Sequence, residues 1–357
     1  MAEQDRTMKR ILLILSCILL SVGSSGGQLL VRLYFLHGGH RIWLCSFLQS
    51  AGFPIILLPL TISYIHRRRQ TSTTSQTTTT KIVFMKPSLF IPFAFIGSLN
   101  GLDSYLYTYG SSRLPVSTSS LIIATQLAFN AVFAFLLVKH KFKAYSINAV
   151  VLLTFGSGVL ALHSSSDHPA GVSTKQYAIG LVMTLMASLV YGIIMPLVEM
   201  VYKKTKEVIT YTLVLEIQLV MSLFAALFST IGMIIDNDYK VISREAKQFD
   251  LGEAIYYVVL MVSVLLWQAY LLGAIGVVFC ASSLLSGIII AVSLPITQIL
   301  AIIFYKESFQ VEKGVALLLS VWGFTSYFYG EFKQAKKLKR KHISETELPQ
   351  PLTIQNP

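Results

Sequence analysis

Ten apolar stretches, each long enough to cross a lipid bilayer, follow one another along the chain and are separated by short loops. A bilayer core about 30 Å thick requires roughly 20 mostly apolar residues per helix, at about 1.5 Å per residue. The pattern therefore predicts a polytopic membrane protein of ten transmembrane helices. The predicted spans are 11–35, 42–65, 87–110, 114–138, 145–162, 176–200, 209–235, 254–275, 278–304 and 314–330.

The composition excludes a soluble enzyme domain. Only 13% of the residues are charged, whereas a soluble domain has about 25%. The three cysteines, Cys17, Cys45 and Cys280, lie far apart in apolar surroundings, which favours neither disulfides nor a metal site. Phosphate-binding loops, zinc-protease motifs and nucleophile elbows are absent from the sequence. We expect no enzyme activity, no metal and no cofactor.

The positive charge is arranged by side of the membrane. Although the formal net charge is +12, most Lys and Arg residues fall in loops that face one side, in clusters such as Arg67–Arg69 and Lys333–Lys341. Such an excess marks the cytoplasmic side and predicts lipid headgroups, not nucleic acid, as the neighbour. An even number of spans then places both termini in the cytoplasm. The first apolar stretch is too long for a cleavable signal peptide and is interpreted as a retained span.

A weak internal repeat divides the chain into two halves of five spans. At a constant offset of 167, Phe142 aligns with Phe309 and Gly156 with Gly323. Because five is odd, the second half starts from the opposite side of the membrane, which is the inverted repeat of many secondary transporters. The predicted organisation is a cytoplasmic N-terminus (1–10), a first repeat (11–162) with a flexible Thr/Ser-rich cytoplasmic loop (67–81), a second repeat (163–330) and a basic, disordered cytoplasmic tail (331–357).

Polar side chains within the spans are the candidate binding residues, since polar groups are costly in lipid and face the protein interior. The predicted substrate-binding set is Asn100, Tyr107, Gln126, Asn130, Trp267 and Gln268. Side-chain amides present a donor and an acceptor together, which suits the edges of a planar heterocycle, and aromatic rings offer stacking surfaces. No Lys or Arg lies at mid-span, which disfavours phosphorylated substrates. The competing interpretation is helix–helix hydrogen bonding, worth about 0.6 kcal/mol per bond.

Carboxylates within spans suggest how transport is driven. Asp103 and Glu199 are the predicted proton-coupling residues, because a desolvated carboxyl group can bind and release a proton. Glu199 lies four residues before Lys203, so a simple ion pair is the alternative interpretation there. A proton gradient would be the driving force.

The chain resembles the plant purine permease family of the drug/metabolite transporter superfamily from about residue 9 to residue 333. The resemblance rests on the stretches GGQLLVRLYF (26–35), GGHRIW (38–43), QSAGFP (49–54), GLDSYLY (101–107), LPVSTSSL (114–121), QLAF (126–129), SSLLSG (282–287), WGF (322–324) and YFYGE (327–331). It implies ten helices in two inverted repeats, proton-coupled uptake of purine bases and cytokinins, and, by analogy, the plasma membrane. The family often has proline where this chain has Gln28, which leaves the exact substrate open.

Two alternatives stay open. One is transport or export of another metabolite on the same fold, such as an alkaloid, a vitamin B6-like compound, a sugar nucleotide or an amino acid. The other is a membrane receptor or adaptor, which the ten spans and the repeat disfavour. The sequence gives neither the oligomeric state nor the proton stoichiometry.

Overall fold

The described part of the computed structural model is helical. It describes residues 2–73, 85–114, 119, 122–123, 125–139, 144–163, 173–205, 210–305, 311, 314–315, 318–319, 321–323, 325–330 and 333. The helices are α1 (Ala2–Leu36), α2 (Ile42–Leu48), α3 (Phe53–Thr73), α4 (Pro87–Arg113), α5 (Gln126–Val138), α6 (Ala144–His163), α7 (Thr174–Lys204), α8 (Tyr211–Ile235), α9 (Ile242–Gln248), α10 (Glu253–Cys280) and α11 (Ser283–Tyr305), with a 3₁₀ turn at Asp238–Lys240.

Seven helical segments within the described residues, one of them interrupted by the break between α2 and α3, are long and apolar enough to cross a membrane, so this is an integral membrane protein. They are Thr7–Leu36, Ile42–Ile62, Pro87–Arg113, Thr174–Lys204, Tyr211–Ile235, Glu253–Cys280 and Ser283–Tyr305. The predicted fourth span (114–138) corresponds in part to the shorter apolar helix α5, and the fifth (145–162) to α6. The predicted tenth span (314–330) lies partly outside the described residues, as does the loop after Thr73.

The second predicted span is two helices, not one continuous helix. The chain leaves the α-helix after Leu48 and re-enters it at Phe53. The amides of Ser50 and Ala51 both donate to the carbonyl of Phe47, at 3.0 and 2.9 Å. Pro54 has no amide hydrogen, so it suits the first turn of α3 and cannot continue the bonding of α2. Farther on, α3 continues through Thr73 into the first part of the predicted flexible loop.

The boundary between the eighth and ninth predicted spans lies later than the predicted 275–278. Helix α10 continues to Cys280, and α11 begins at Ser283. Ser282 explains the position, because its Oγ atom accepts a hydrogen bond from the amide of Leu285 at 3.2 Å. Serine is a favoured residue before the first turn of a helix, since it satisfies an amide that has no partner within the helix.

Glycines bring the central helices into close contact. A Cβ atom on Gly23 of α1 would lie 2.4 Å from the backbone nitrogen of Tyr270 in α10, and one on Gly273 would lie 2.4 Å from that of Leu20. In α4, a Cβ on Gly97 would lie 2.5 Å from the carbonyl oxygen of Met221 in α8. Small residues permit such backbone approach between membrane helices. The α1–α10 pair and α4 with its neighbours thus form the walls of a central space.

Candidate binding cavity

A polar cavity of about 50 Å³ lies at the centre of these helices. At about 10–15 Å³ for each water position, this arrangement of the helices has room for a few water molecules, so a larger solute requires the cavity walls to move apart. It is lined by Ser24, Gln28, Gln49, Asn100, Asp103, Ser104, Tyr107, Ile123, Gln126, Ala187, Ser188, Tyr191, Trp267, Tyr270, Leu271 and Ile290. These residues come from helices on both sides of the predicted repeat boundary, α1, α4 and α5 before it and α7, α10 and α11 after it.

Four aromatic rings form one wall of the cavity. The ring of Trp267 meets Tyr107 edge-on at a centroid distance of 5.8 Å and Tyr270 at 5.4 Å. Tyr191 lies 5.9 Å from Tyr270. The indole Nε1 of Trp267 is buried without a hydrogen-bond partner among the described residues. A buried donor without a partner costs about 1–3 kcal/mol, so this wall is suited to a ligand that supplies acceptors as well as a flat face.

Side-chain amides line the cavity from several helices. Asn100 belongs to α4 and Gln126 to the start of α5, and both are buried. Gln28 makes a long hydrogen bond of 3.5 Å, from its Nε2 to Ser24 Oγ in its own helix. Gln49 lies in the break between α2 and α3, where its Nε2 donates to Thr108 Oγ1 at 2.8 Å. The amides thus surround the cavity with donors and acceptors.

The cavity contains one carboxylate, Asp103, among the residues that line it. None of the ion pairs between described residues includes Asp103, and no described Lys or Arg lines the cavity. An isolated ionised carboxylate away from water is costly unless it takes up a proton or meets a cation. The site can therefore hold a proton or a weakly basic group, and it offers nothing that would bind a phosphate.

Five of the eight predicted site residues line the cavity together: Asn100, Asp103, Tyr107, Gln126 and Trp267. The other three do not line it. Asn130 donates from Nδ2 to the carbonyl of Ser283 at 2.9 Å, which joins α5 to the start of α11. Gln268 lies against the backbone of Gly52.

Glu199, the second predicted proton carrier, lies at the junction of α7 and α11. Its Oε2 accepts from the backbone amide and the hydroxyl of Ser283, at 2.8 and 2.5 Å, and its Oε1 pairs with Lys203 at 2.9 Å. The carboxylate is thus satisfied by the first residue of α11 and by an i,i+4 partner. Its role in proton coupling stays a prediction.

Gln49, Tyr191 and Tyr270 line the cavity although they were not in the predicted binding set. Tyr191 and Tyr270 lie deep within their spans, where burial (5% and 8% exposed) distinguishes them from aromatic residues at the membrane surface. The sequence does contain a signal for Gln49. Gly52 and Pro54 follow it within an apolar span, and these two residues indicate a break in the helix at that point. Broken helices provide binding groups in many transporters.

These features define a polytopic membrane protein with a polar and aromatic internal site between its helices, which is the arrangement of a small-solute transporter. The particular family follows from comparison with known proteins. The family profile described as purine nucleobase transmembrane transport matches residues 11–337. The chain belongs to this family, the purine permeases.

Individual relatives agree along nearly the whole chain. Purine permease 3 of Arabidopsis thaliana is 50% identical over 343 residues, which cover 95% of this chain and 97% of that protein. Purine permease 2 of the same plant is 49% identical over 353 residues, which cover 96% of this chain and 98% of that protein. Probable purine permease 5 of Arabidopsis thaliana is 37% identical over 320 residues, which cover 90% of this chain and 86% of that protein. The family and its members are permeases, which confirms the predicted resemblance and the prediction of a transporter in place of an enzyme.

One solved crystal structure shares the fold. It aligns with 90% of this chain and 96% of its own, with a TM-score of 0.56 at 11% sequence identity. At that identity the likeness shows a common backbone arrangement alone.

Proposed function

We propose that this protein imports purine bases and related planar heterocycles, including adenine and cytokinins, by proton symport. In this proposal ten helices form two inverted five-helix repeats, both termini are cytoplasmic, and the protein acts in the plasma membrane. The observation that carries the proposal is the central cavity, where amides, four aromatic rings and one carboxylate without an ion-pair partner among the described residues meet.

The chemistry of the cavity supports a purine as the substrate. The amides of Asn100 and Gln126 can pair with ring nitrogens and exocyclic groups at a purine edge, as Asn and Gln pair with adenine edges elsewhere. Stacking of a base on an aromatic ring is worth about 1–3 kcal/mol, and Trp267 and Tyr107 offer such faces. A cytokinin adds an apolar substituent to the base, for which Ile123 and Leu271 provide apolar lining.

Asp103 is the proposed coupling group. Its carboxylate shares the cavity with the substrate site and lacks an ion-pair partner among the described residues. A proton that crosses a potential of 100 mV inward releases about 2.3 kcal/mol, equivalent to roughly a 50-fold accumulation of substrate. Glu199 is the second candidate, and its bonds to Ser283 and Lys203 give it less freedom to exchange a proton.

Substrate recognition is tested by counterflow of radiolabelled adenine in liposomes that contain only the purified protein. Gln126→Ala should raise the half-saturating adenine concentration about 5- to 10-fold, because about 1 kcal/mol of hydrogen bonding is lost. Asn130→Ala is the matched control, since this amide lies one turn away on α5 and bonds Ser283 outside the cavity. Equal effects of the two variants on affinity, or counterflow that purines do not inhibit, would contradict the proposal.

Proton coupling is tested separately from recognition. Asp103→Asn should abolish accumulation driven by an imposed pH gradient and should retain adenine counterflow, which needs no gradient. Glu199→Gln, which keeps an acceptor oxygen for Ser283, should accumulate adenine as the wild type does. If Asp103→Asn still accumulates adenine and Glu199→Gln does not, the coupling role belongs to Glu199.

A further inference from the structure

A second polar cluster lies apart from the cavity, where the α1–α2 connection meets the segment between α8 and α10. We call it the Arg41 cluster; it consists of Tyr34, Arg41, Asp238, Glu245 and Tyr256. The two acidic residues are 2% and 5% exposed. The cluster connects regions about 200 residues apart, one in the first predicted repeat and one in the second.

Glu245 is the satisfied carboxylate of the cluster. The hydroxyls of Tyr34 and Tyr256 both donate to its Oε1, the second at 3.1 Å. Its Oε2 accepts from Arg41 Nε and from the backbone amide of His40, each at 3.3 Å. Four donors thus satisfy both oxygens of this carboxylate.

Asp238 is the incompletely satisfied carboxylate. Its Oδ1 lies 3.5 Å from Arg41 Nη1, and its buried Oδ2 has no hydrogen-bond partner among the described residues. Arg41 therefore faces two carboxylates with one positive charge. When both carboxylates are ionised, the three groups together carry one excess negative charge, with the two carboxylates buried and the Arg41 side chain 30% exposed.

We propose that Asp238 is a proton-binding site, and that a proton on its Oδ2 atom stabilises the closed arrangement of the Arg41 cluster. The proton comes from external water and forms an O–H bond with Oδ2, which removes the excess charge. This inference deepens the proposed proton symport and rests on its topology, which places the cluster at the extracellular end. A small cavity of about 10 Å³ bounded by Tyr34 and Trp267 lies between the cluster and the central site. Closure here would accordingly seal the outer side of that site.

The direction of the pH effect follows from linkage. Burial raises the pKa of the Asp238 carboxyl above its ordinary 3.8, and the neighbouring Asp236 adds to the rise; the charge and hydrogen bond of Arg41 and a hydrogen bond from the backbone amide of Leu44 oppose it without cancelling it. In an open cluster, water would return this pKa toward 3.8. The state in which a group has the higher pKa gains stability as the pH falls. Here that state is the closed cluster. Lowering the pH toward 3.8 therefore favours closure. Among the described residues, the other titratable groups near the cluster are Tyr34, His40, Cys45, Asp236, Glu245 and Tyr256, and His37 Nδ1 lies 3.9 Å from Asp250 Oδ2 beside it.

Hydrogen exchange of the purified full chain in nanodiscs, read by mass spectrometry without substrate, tests the proposal. The reporter is the peptide 242–252, because the amide of Asp250 donates to the carbonyl of His37 at 3.2 Å across the cluster. Protection factors, which correct for the intrinsic pH dependence of exchange, should rise as the pH falls from 7.5 to 4.5. One proton can change them by at most about tenfold per pH unit.

Variants identify the group that is responsible. Asp238→Asn cannot ionise and should show protection independent of pH; Asp238→Ser serves the same purpose if the amide variant misfolds. Asp236→Asn is the matched control, since it removes an exposed neighbouring charge and leaves Asp238 able to ionise; its protection should still rise as the pH falls, with the change displaced to lower pH because Asp236 raises the pKa of Asp238. Protection that is independent of pH in the wild type, or equally dependent on pH in Asp238→Asn, would overturn the proposal. Because this readout needs neither substrate nor gradient, its failure would leave the uptake experiments on Asp103 and Gln126 unaffected.

Discussion

The position of the Trp267 ring depends on a single glycine in α1, and a methyl group there is a direct perturbation of the cavity. A Cβ atom on Gly27 would lie 2.9 Å from Cε2 of the indole, whereas ordinary van der Waals contact begins at 3.4 Å. The ring must therefore move by about half an ångström or more. Because the cavity holds only about 50 Å³, such a displacement takes up space that a flat substrate needs.

Gly27→Ala should raise the half-saturating concentration for adenine in the counterflow assay. Overpacking of a well-packed site costs about 1–3 kcal/mol, which corresponds to about a 5- to 140-fold change if the whole cost appears in binding. Gly26→Ala is the matched control. Its Cβ would also lie 2.9 Å from a neighbour, but that neighbour is the flexible end of Leu266, so transport should change little.

A compensating change makes the test stricter. Replacement of the indole by a smaller ring in Gly27→Ala/Trp267→Phe should recover part of the affinity that Gly27→Ala loses, because the added methyl group then has room. The reasoning is refuted if Gly27→Ala and Gly26→Ala affect adenine affinity equally, or if Gly27→Ala leaves it unchanged in protein that folds normally.

Two further predictions concern stability, measured as thermal unfolding in detergent. Arg41→Ala should destabilise the protein by about 1–3 kcal/mol, because the buried carboxylates of Asp238 and Glu245 lose a charged donor; unchanged unfolding would show that the cluster does not contribute to stability. Glu199→Ala should cost about 0.5–2 kcal/mol, since Ser283 at the start of α11 loses the acceptor for its amide. Glu199→Gln should cost less, and equal losses in the two variants would contradict this role.

Hydropathy and helical spacing predict much of what the structure shows. Long apolar runs locate the seven membrane-spanning segments. An apolar helix long enough to cross the bilayer is stable there almost regardless of how it packs against the other helices. The spacing of Asn100, Asp103 and Tyr107 predicts one helical face, and all three line the cavity.

What the sequence did not predict depends on contacts between distant segments. Trp267 lines the cavity, whereas its neighbour Gln268 lies against the backbone of Gly52, a contact between α10 and the break after α2 that spacing along one helix does not reveal. Asn130 follows Gln126 by about one turn, yet it bonds Ser283, because the break between α10 and α11 brings that carbonyl close. Neither the Arg41 cluster nor the contact between Gln49 and Thr108 has a local signal in the sequence, since each requires segments that only the fold brings together.

Photolabelling of the purified protein with 8-azidoadenine, followed by mapping of the modified residues by mass spectrometry, tests the central claim most directly. If the cavity is the purine site, the label should attach to residues of its aromatic wall, Tyr107, Trp267 or Tyr270, and unlabelled adenine should prevent it. Adenine-protected labelling confined to residues that do not line this cavity, such as the apolar groove between α5 and α6 at Phe135 and Ile147, would contradict the account.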